Sequence, residues 1–151
     1  MVHVDNTDET VGKLNKLSAN TQPEWGQMTP QHMVEHITMT LKVSSGKMNV
    51  EQRSTPEEAA AARARLLHTD AEIAKGIKSP LMGEGLPEYK NDSLQAAIDE
   101  FKAELEYFNN YYRENPEAKH IQPRLGALSY SEWIIFHGKH FMHHFKQFGI
   151  Y

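Results

Sequence analysis

The sequence predicts an all-α protein, a single-domain four-helix bundle over residues 1–151 with one extra short peripheral helix. Three observations predict this fold. Apolar residues recur at helical spacing in several stretches, helix-start signals precede those stretches, and no stretch alternates with period two over the length of a strand. A chain of 151 residues is also long enough to bury one substantial core.

The composition excludes several classes of function. The net charge is −4 and no basic run is present, so we expect no nucleic-acid partner. Cysteine is absent, which excludes disulfides, thiolate metal ligands and cysteine nucleophiles. No apolar run approaches the roughly 18 to 20 residues of a membrane span, and the acidic, polar start is unlike a secretory signal. We therefore expect a cytoplasmic protein without a membrane partner.

The first two helices are predicted from spacing and caps. A short amphipathic helix should run from Asp8 to about Leu17, followed by a loop over residues 18–26 whose Trp25 packs onto the bundle. Thr29-Pro30 is a helix start, with threonine as N-cap and proline at the first helical position. This second helix should continue to about Ser45 and stop at Gly46.

The later elements follow from the same signals. Thr55-Pro-Glu-Glu58 begins an alanine-rich peripheral helix that reaches Leu67. Residues 76–92 form a long loop, either a surface crossover or a functional lid. Asp92 or Ser93 caps a helix to about Glu114, residues 116–128 are a loop, and Ser129-Tyr-Ser-Glu132 opens the closing helix, which Gly149 ends. The seam of the fourth helix alternates by four and three: Leu94, Ile98, Phe101, Leu105, Phe108 and Tyr112.

Four of the nine histidines fall between His137 and His144 in the closing helix. At ~100° per residue, His137, His140 and His144 share one face, whereas His143 does not. His140 and His144 are four apart, so their imidazoles are stacked neighbours that can reach one metal ion. Neutral imidazole suits Zn, Ni, Fe or Cu. The pair therefore predicts half of a divalent metal site.

The third ligand should come from another helix, and His36 is the best candidate because it lies on an inward-facing apolar stripe. His32 and His137 are more plausible as pocket lining, together with Trp25 and Trp133. The alternative for each histidine is a hydrogen-bonded core residue. The remaining histidines are expected elsewhere: His143 on the helix surface or in an interface, and His3, His68 and His120 in solvent or in loops.

Two segments carry a family resemblance. Trp25-Gly-Gln-Met-Thr-Pro-Gln-His-Met-Val-Glu-His36 resembles the first metal-histidine helix of the DinB/YfiT-like superfamily. His140-Phe-Met-His-His-Phe-Lys-Gln147 resembles its closing motif, in which a histidine pair four apart is followed by glutamine three residues later. The ending resembles an uncharacterised subfamily more closely. The chain departs from many relatives at Phe145-Lys146, where they have Arg-Gly, which leaves the substrate open.

The resemblance implies an up-down-down-up bundle, a homodimer, and a divalent metal held by His36, His140 and His144. Zn or Ni is expected before Fe or Mn. Characterised relatives include S-transferases that use bacillithiol, mycothiol or similar thiols, and metal-dependent hydrolases. The resemblance therefore favours a transferase that takes a low-molecular-weight thiol as co-substrate.

Three hypotheses on function follow. The first is a metal-dependent enzyme acting on a small molecule, either a thiol transferase or a hydrolase that uses water. The second is a non-catalytic protein that binds metal or a small ligand. The third is a structural dimer whose histidines are merely buried and hydrogen-bonded. No general base can be identified, since Glu35 is expected to point away from the inner stripe of its helix.

Overall fold

The structure is a computed structural model that describes residues 2–75 and 85–151. Within these residues the chain is mostly helical, with one small two-stranded sheet. The elements, in chain order, are α1 (Thr7–Leu14), α2 (Pro30–Ser44), α3 (Pro56–Leu67), α4 (Leu94–Glu114), β1 (His120–Gln122), β2 (Gly126–Leu128) and α5 (Tyr130–Gln147).

The helix starts lie where the sequence predicts them because local capping groups fix them. The Thr29 side chain accepts from the backbone N–H of His32, and Ser93 does the same for Ala96. Two reciprocal capping boxes, Thr55 with Glu58 and Ser129 with Glu132, begin α3 and α5. Each cap pairs backbone N–H groups that have no partner within the helix.

Helix α2 lies at the centre of the fold and packs against α4 and α5, while α1 packs on α4 and α3 packs on α5. Most of α2 is buried, including several of its polar residues. By contrast, α3 buries only Ala59 and Leu67, in agreement with its predicted peripheral position. The largest fully buried side chains are Trp133, Phe101, Phe108, Phe141 and Phe145.

The prediction that residues 116–128 form only a loop is wrong. Residues 120–122 and 126–128 pair as an antiparallel ribbon, with His120 opposite Leu128. Each strand has three residues, too few for a period-two pattern to show in the sequence. Gly126, at φ +81°, begins β2 in a conformation that favours glycine.

One helix boundary also differs from expectation. Helix α1 ends at Leu14 rather than at about Leu17. The chain makes one further turn, in which the Leu17 N–H donates to the Leu14 carbonyl at 3.0 Å, and Leu17 is buried. Of the predicted loop over 76–92, residues 76–84 and any lid they form lie outside the described residues. The up-down-down-up order of the helices stays a prediction.

Among the described residues, every helix is too short or too polar to cross a lipid bilayer.

Candidate metal centre

Three imidazole rings from two helices meet at one point inside the protein. His36 Nε2 lies 3.0 Å from His140 Nε2, which lies 3.1 Å from His144 Nε2. The ligand atoms of all three side chains lie within 4.8 Å of one another. The side chains that the sequence proposed as metal ligands are therefore brought together, and this cluster could hold a metal ion.

The backbone explains how the three rings meet. His140 and His144 are one turn apart on α5, so their ring centroids lie 4.7 Å apart. His36 enters from α2, which packs against α5, and its ring lies 4.9 and 5.0 Å from the other two. Local helical geometry forms the pair, and the packing of two helices supplies the third ring.

All three imidazoles are uncharged at neutral pH. Burial is the main cause: it lowers the pKa of His36 to about 4 and that of His144 to about 3. Burial, with the neighbouring histidines, also holds the pKa of His140 well below its usual range. Neutral imidazoles present a free lone pair to a cation, so no proton has to leave before an ion binds.

The proton count at the centre favours a cation. A neutral His140 carries at most one proton on Nε2 and cannot donate it along both contacts, to His36 and to His144. At least one of the two contacts therefore cannot be a full hydrogen bond, whereas a cation could accept a lone pair from each ring. Tetrahedral Zn²⁺, with Zn–N near 2.0–2.1 Å, would separate its nitrogen ligands by roughly 3.3 Å. The two observed Nε2 separations, 3.0 and 3.1 Å, are slightly shorter than this value.

A hydrogen bond fixes the tautomer of one ligand. His144 Nδ1 lies 2.8 Å from Gln147 Oε1, an acceptor, so Nδ1 carries the proton and Nε2 is free for a metal. A partner of this kind is typical of metal-binding histidines. The Nδ1 atoms of His36 and His140 have no such partner among the described residues.

The proposed pocket residues His137 and Trp133 lie in the core. The His137 ring is fully buried, stacks between Trp133 and Phe141 at 5.2 and 5.3 Å, and contacts Ser44 Oγ through Nε2 at 2.7 Å. The Ser44 hydroxyl donates to the Leu41 carbonyl, so the ring N–H is the donor to Ser44. Both side chains are buried, and their role as pocket lining stays a prediction.

The other two proposed pocket residues lie in loop contacts. His32 Nδ1 accepts from the Thr29 N–H, and His32 Nε2 lies 2.9 Å from the Pro87 carbonyl, so both ring nitrogens are engaged. The half-buried Trp25 packs onto the bundle as predicted, with its ring 5.6 Å from that of His143. His143 is thus covered by the loop rather than lying on an open surface.

Glu35 is buried, although the helical wheel places it away from the inner stripe of α2. Its carboxylate accepts from the backbone N–H groups of Lys90 and Asn91, both at 2.9 Å, and from the Gln31 and Asn91 side chains. Burial alone would raise the pKa of Glu35, but these donors together lower it. The carboxylate is therefore an ionised anchor for residues 90–91. A wheel drawn for an isolated helix does not show a loop that covers it.

The remaining histidines stand apart from the cluster. His3 and His68 are exposed, as predicted. His120 was expected to be solvated, but its Nε2 lies 2.7 Å from the Tyr111 hydroxyl and its ring packs beneath Gly46. Its strand position, which the sequence did not reveal, gives it this structural contact.

Comparisons of the chain with protein-family models, with curated proteins and with solved structures give no match. The resemblance to the DinB/YfiT-like superfamily therefore stays a prediction. The chain is a mostly helical protein with three buried histidines that could bind a metal ion.

Proposed function

We propose that this protein is a metal-dependent enzyme of the DinB/YfiT-like type that holds a divalent ion on His36, His140 and His144. One observation carries the proposal: three uncharged, buried imidazoles place their Nε2 atoms 3.0 and 3.1 Å apart around a common point. A structural role for these histidines would be served by separate partners, as His137 has in Ser44.

The ligand set suits catalysis better than pure structure. Three protein ligands leave a coordination position open, the pattern of catalytic rather than structural zinc sites. A divalent ion held there supplies a Lewis acid that lowers the pKa of a water or a thiol. We propose a low-molecular-weight thiol as the nucleophile, and because the chain has no cysteine, that thiol is a co-substrate.

The chain itself positions the groups around the ion site and excludes water from it. His36, His140 and His144 are only 6–7% exposed, which limits the solvent around the reacting atoms. Glu35 does not serve as a general base, since its oxygens are occupied by four N–H donors. The pairing of His144 Nδ1 with Gln147 keeps one ligand in the tautomer that ligation needs.

Metal analysis of protein purified without a histidine tag tests the proposal. We expect stoichiometric Zn or Ni in the unaltered protein and loss of that metal in His36→Ala and in His140→Ala/His144→Ala. The matched control is His143→Ala, a histidine of the same helix that should retain the metal. Equal loss of metal in the His143→Ala control, or unchanged metal content in the double variant, would show that these three histidines do not form the metal site.

Activity measurements then separate the reactions. Turnover of electrophilic small molecules that requires an added thiol supports the transferase, whereas thiol-independent hydrolysis supports a hydrolase that uses water. Stoichiometric metal without turnover of any substrate would leave the protein as a metal-binding bundle.

A further inference from the structure

Gln147 connects the histidine cluster to the loop before α2. Its Oε1 accepts from His144 Nδ1 at 2.8 Å, and its Nε2 donates to the Trp25 carbonyl at 3.0 Å. Its backbone carbonyl accepts from the Glu24 N–H at 2.7 Å. One buried residue therefore contacts both a proposed metal ligand and the segment that we define as the Trp25 segment, residues 24–26.

The two side-chain bonds depend on each other. An amide has one accepting end and one donating end, so turning Oε1 toward His144 necessarily turns Nε2 toward Trp25. The carbonyl of Trp25 can only accept, which excludes the opposite orientation of Gln147. Ligation through His144 Nε2 requires the proton on Nδ1, and the Oε1 acceptor of Gln147 favours that tautomer.

The conformation of the Trp25 segment leaves room for the Gln147 side chain. Gly26 has a φ of +79°, and a Cβ added there would lie 2.9 Å from Gln147 Nε2. The Trp25 ring lies between the His143 ring and the Lys75 ammonium, which is 4.3 Å from the ring centroid. The same loop lines a cavity of about 170 Å³ that Gly26 and Thr29 help to enclose. Movement of the segment would therefore reshape that cavity.

We propose that Gln147 is a positioning residue that couples ion binding at the histidine cluster to the seating of the Trp25 segment. This inference rests on the proposed metal site. His144 would hold such an ion through Nε2 with its proton on Nδ1, where Gln147 Oε1 accepts it and the same amide donates to the Trp25 carbonyl. Ion binding and the seating of the loop should therefore strengthen each other.

Two substitutions distinguish the hydrogen bond of Gln147 to His144 from its hydrogen bond to Trp25. Gln147→Glu keeps an acceptor for His144 but replaces the donor to Trp25 with an oxygen that repels the Trp25 carbonyl. Gln147→Leu removes both bonds. We expect Zn²⁺ affinity within roughly tenfold of the unaltered protein for Gln147→Glu, and a loss of roughly 10- to 100-fold for Gln147→Leu, as outer-shell partners typically give.

The second readout is tryptophan fluorescence during the Zn²⁺ titration, with Trp25→Phe identifying the part of the signal that comes from Trp25. The unaltered protein should change its Trp25 emission on binding, and Gln147→Glu should bind Zn²⁺ without that change. Zn²⁺ binding with an unchanged Trp25 response in Gln147→Glu would overturn the coupling alone. No Zn²⁺ binding by the unaltered protein would overturn both the coupling and the metal site.

A test from the loop side does not depend on the folding of the Gln147 variants. Gly26→Ala adds a Cβ against Gln147 Nε2 and should reduce Zn²⁺ affinity severalfold and weaken the Trp25 response. Gly85→Ala is the matched control, because Gly85 has a similar φ of +71° but open space around an added Cβ. An equal loss of Zn²⁺ affinity in the two variants would show that backbone strain causes the loss, and it would overturn the coupling.

Discussion

His137 and the pair His140/His144 share a helix, but their surroundings differ. All three rings are buried in α5, and burial lowers the pKa of each. His137 lies among aromatic rings with one hydrogen bond to Ser44. The pair instead directs its Nε2 atoms at each other and at His36. Burial and a lowered pKa are thus common to both, whereas only convergence of nitrogen atoms distinguishes the candidate site.

The number of buried histidines therefore does not by itself identify a metal site. A buried imidazole can fill a core as an aromatic ring does, provided that its N–H finds an acceptor such as Ser44 Oγ. Three imidazoles whose Nε2 atoms converge cannot all be hydrogen-bonded to one another, whereas a cation could accept a lone pair from each.

The largest effect should be the acid sensitivity of the metal-free protein. Burial lowers the pKa of His36 to about 4 and of His137 and His144 to about 3, and that of His140 also falls. The unfolded chain, with histidine pKa values near 6.5, binds more protons in this range. Stability is therefore complete above about pH 6.5 and falls as the pH drops toward 4, by roughly 5 kcal/mol per pH unit near pH 5.5.

Urea unfolding in the presence of a chelator, measured between pH 5 and 7.5, checks this slope. His137→Gln should remove about one of the roughly four protons taken up on unfolding. A slope that stays flat below pH 6.5 would mean that the histidines already carry charge in the folded protein.

The next effect concerns the core histidine alone. His137→Ala should lower the free energy of unfolding by about 3 kcal/mol, because it leaves a cavity between Trp133 and Phe141. Its metal content, by contrast, should equal that of the unaltered protein. Loss of metal from a folded His137→Ala protein would contradict the distinction between the two environments.

The smallest effect should come from losing the hydrogen bond between His137 and Ser44. Ser44→Ala leaves the buried N–H of His137 without its acceptor and should cost about 2 kcal/mol in the free energy of unfolding. Combining Ser44→Ala with His137→Ala should cost less than the sum of the two, since they remove the same bond. Additive losses would show that Ser44 stabilises α2 independently of His137.

Much of the fold could be predicted because its signals are local. Thr29-Pro30, the Thr55–Glu58 box and the Ser129–Glu132 box each fix a helix start within four residues of chain. The short ribbon of β1 and β2 could not be predicted, since strand pairing depends on a partner and three residues show no periodicity. The burial of Glu35 could not be predicted for a related reason: residues 90–91 cover it from 55 or more positions away.

The sequence alone determined the pair His140/His144, because one helical turn places residues four apart side by side. Only the tertiary structure decided which rings join them. The packing of α2 on α5 brings in His36 from 104 positions away, while the same packing places His137 against Ser44. Residues at helical spacing are constrained by backbone geometry, but contacts between helices depend on how all the apolar faces are buried together.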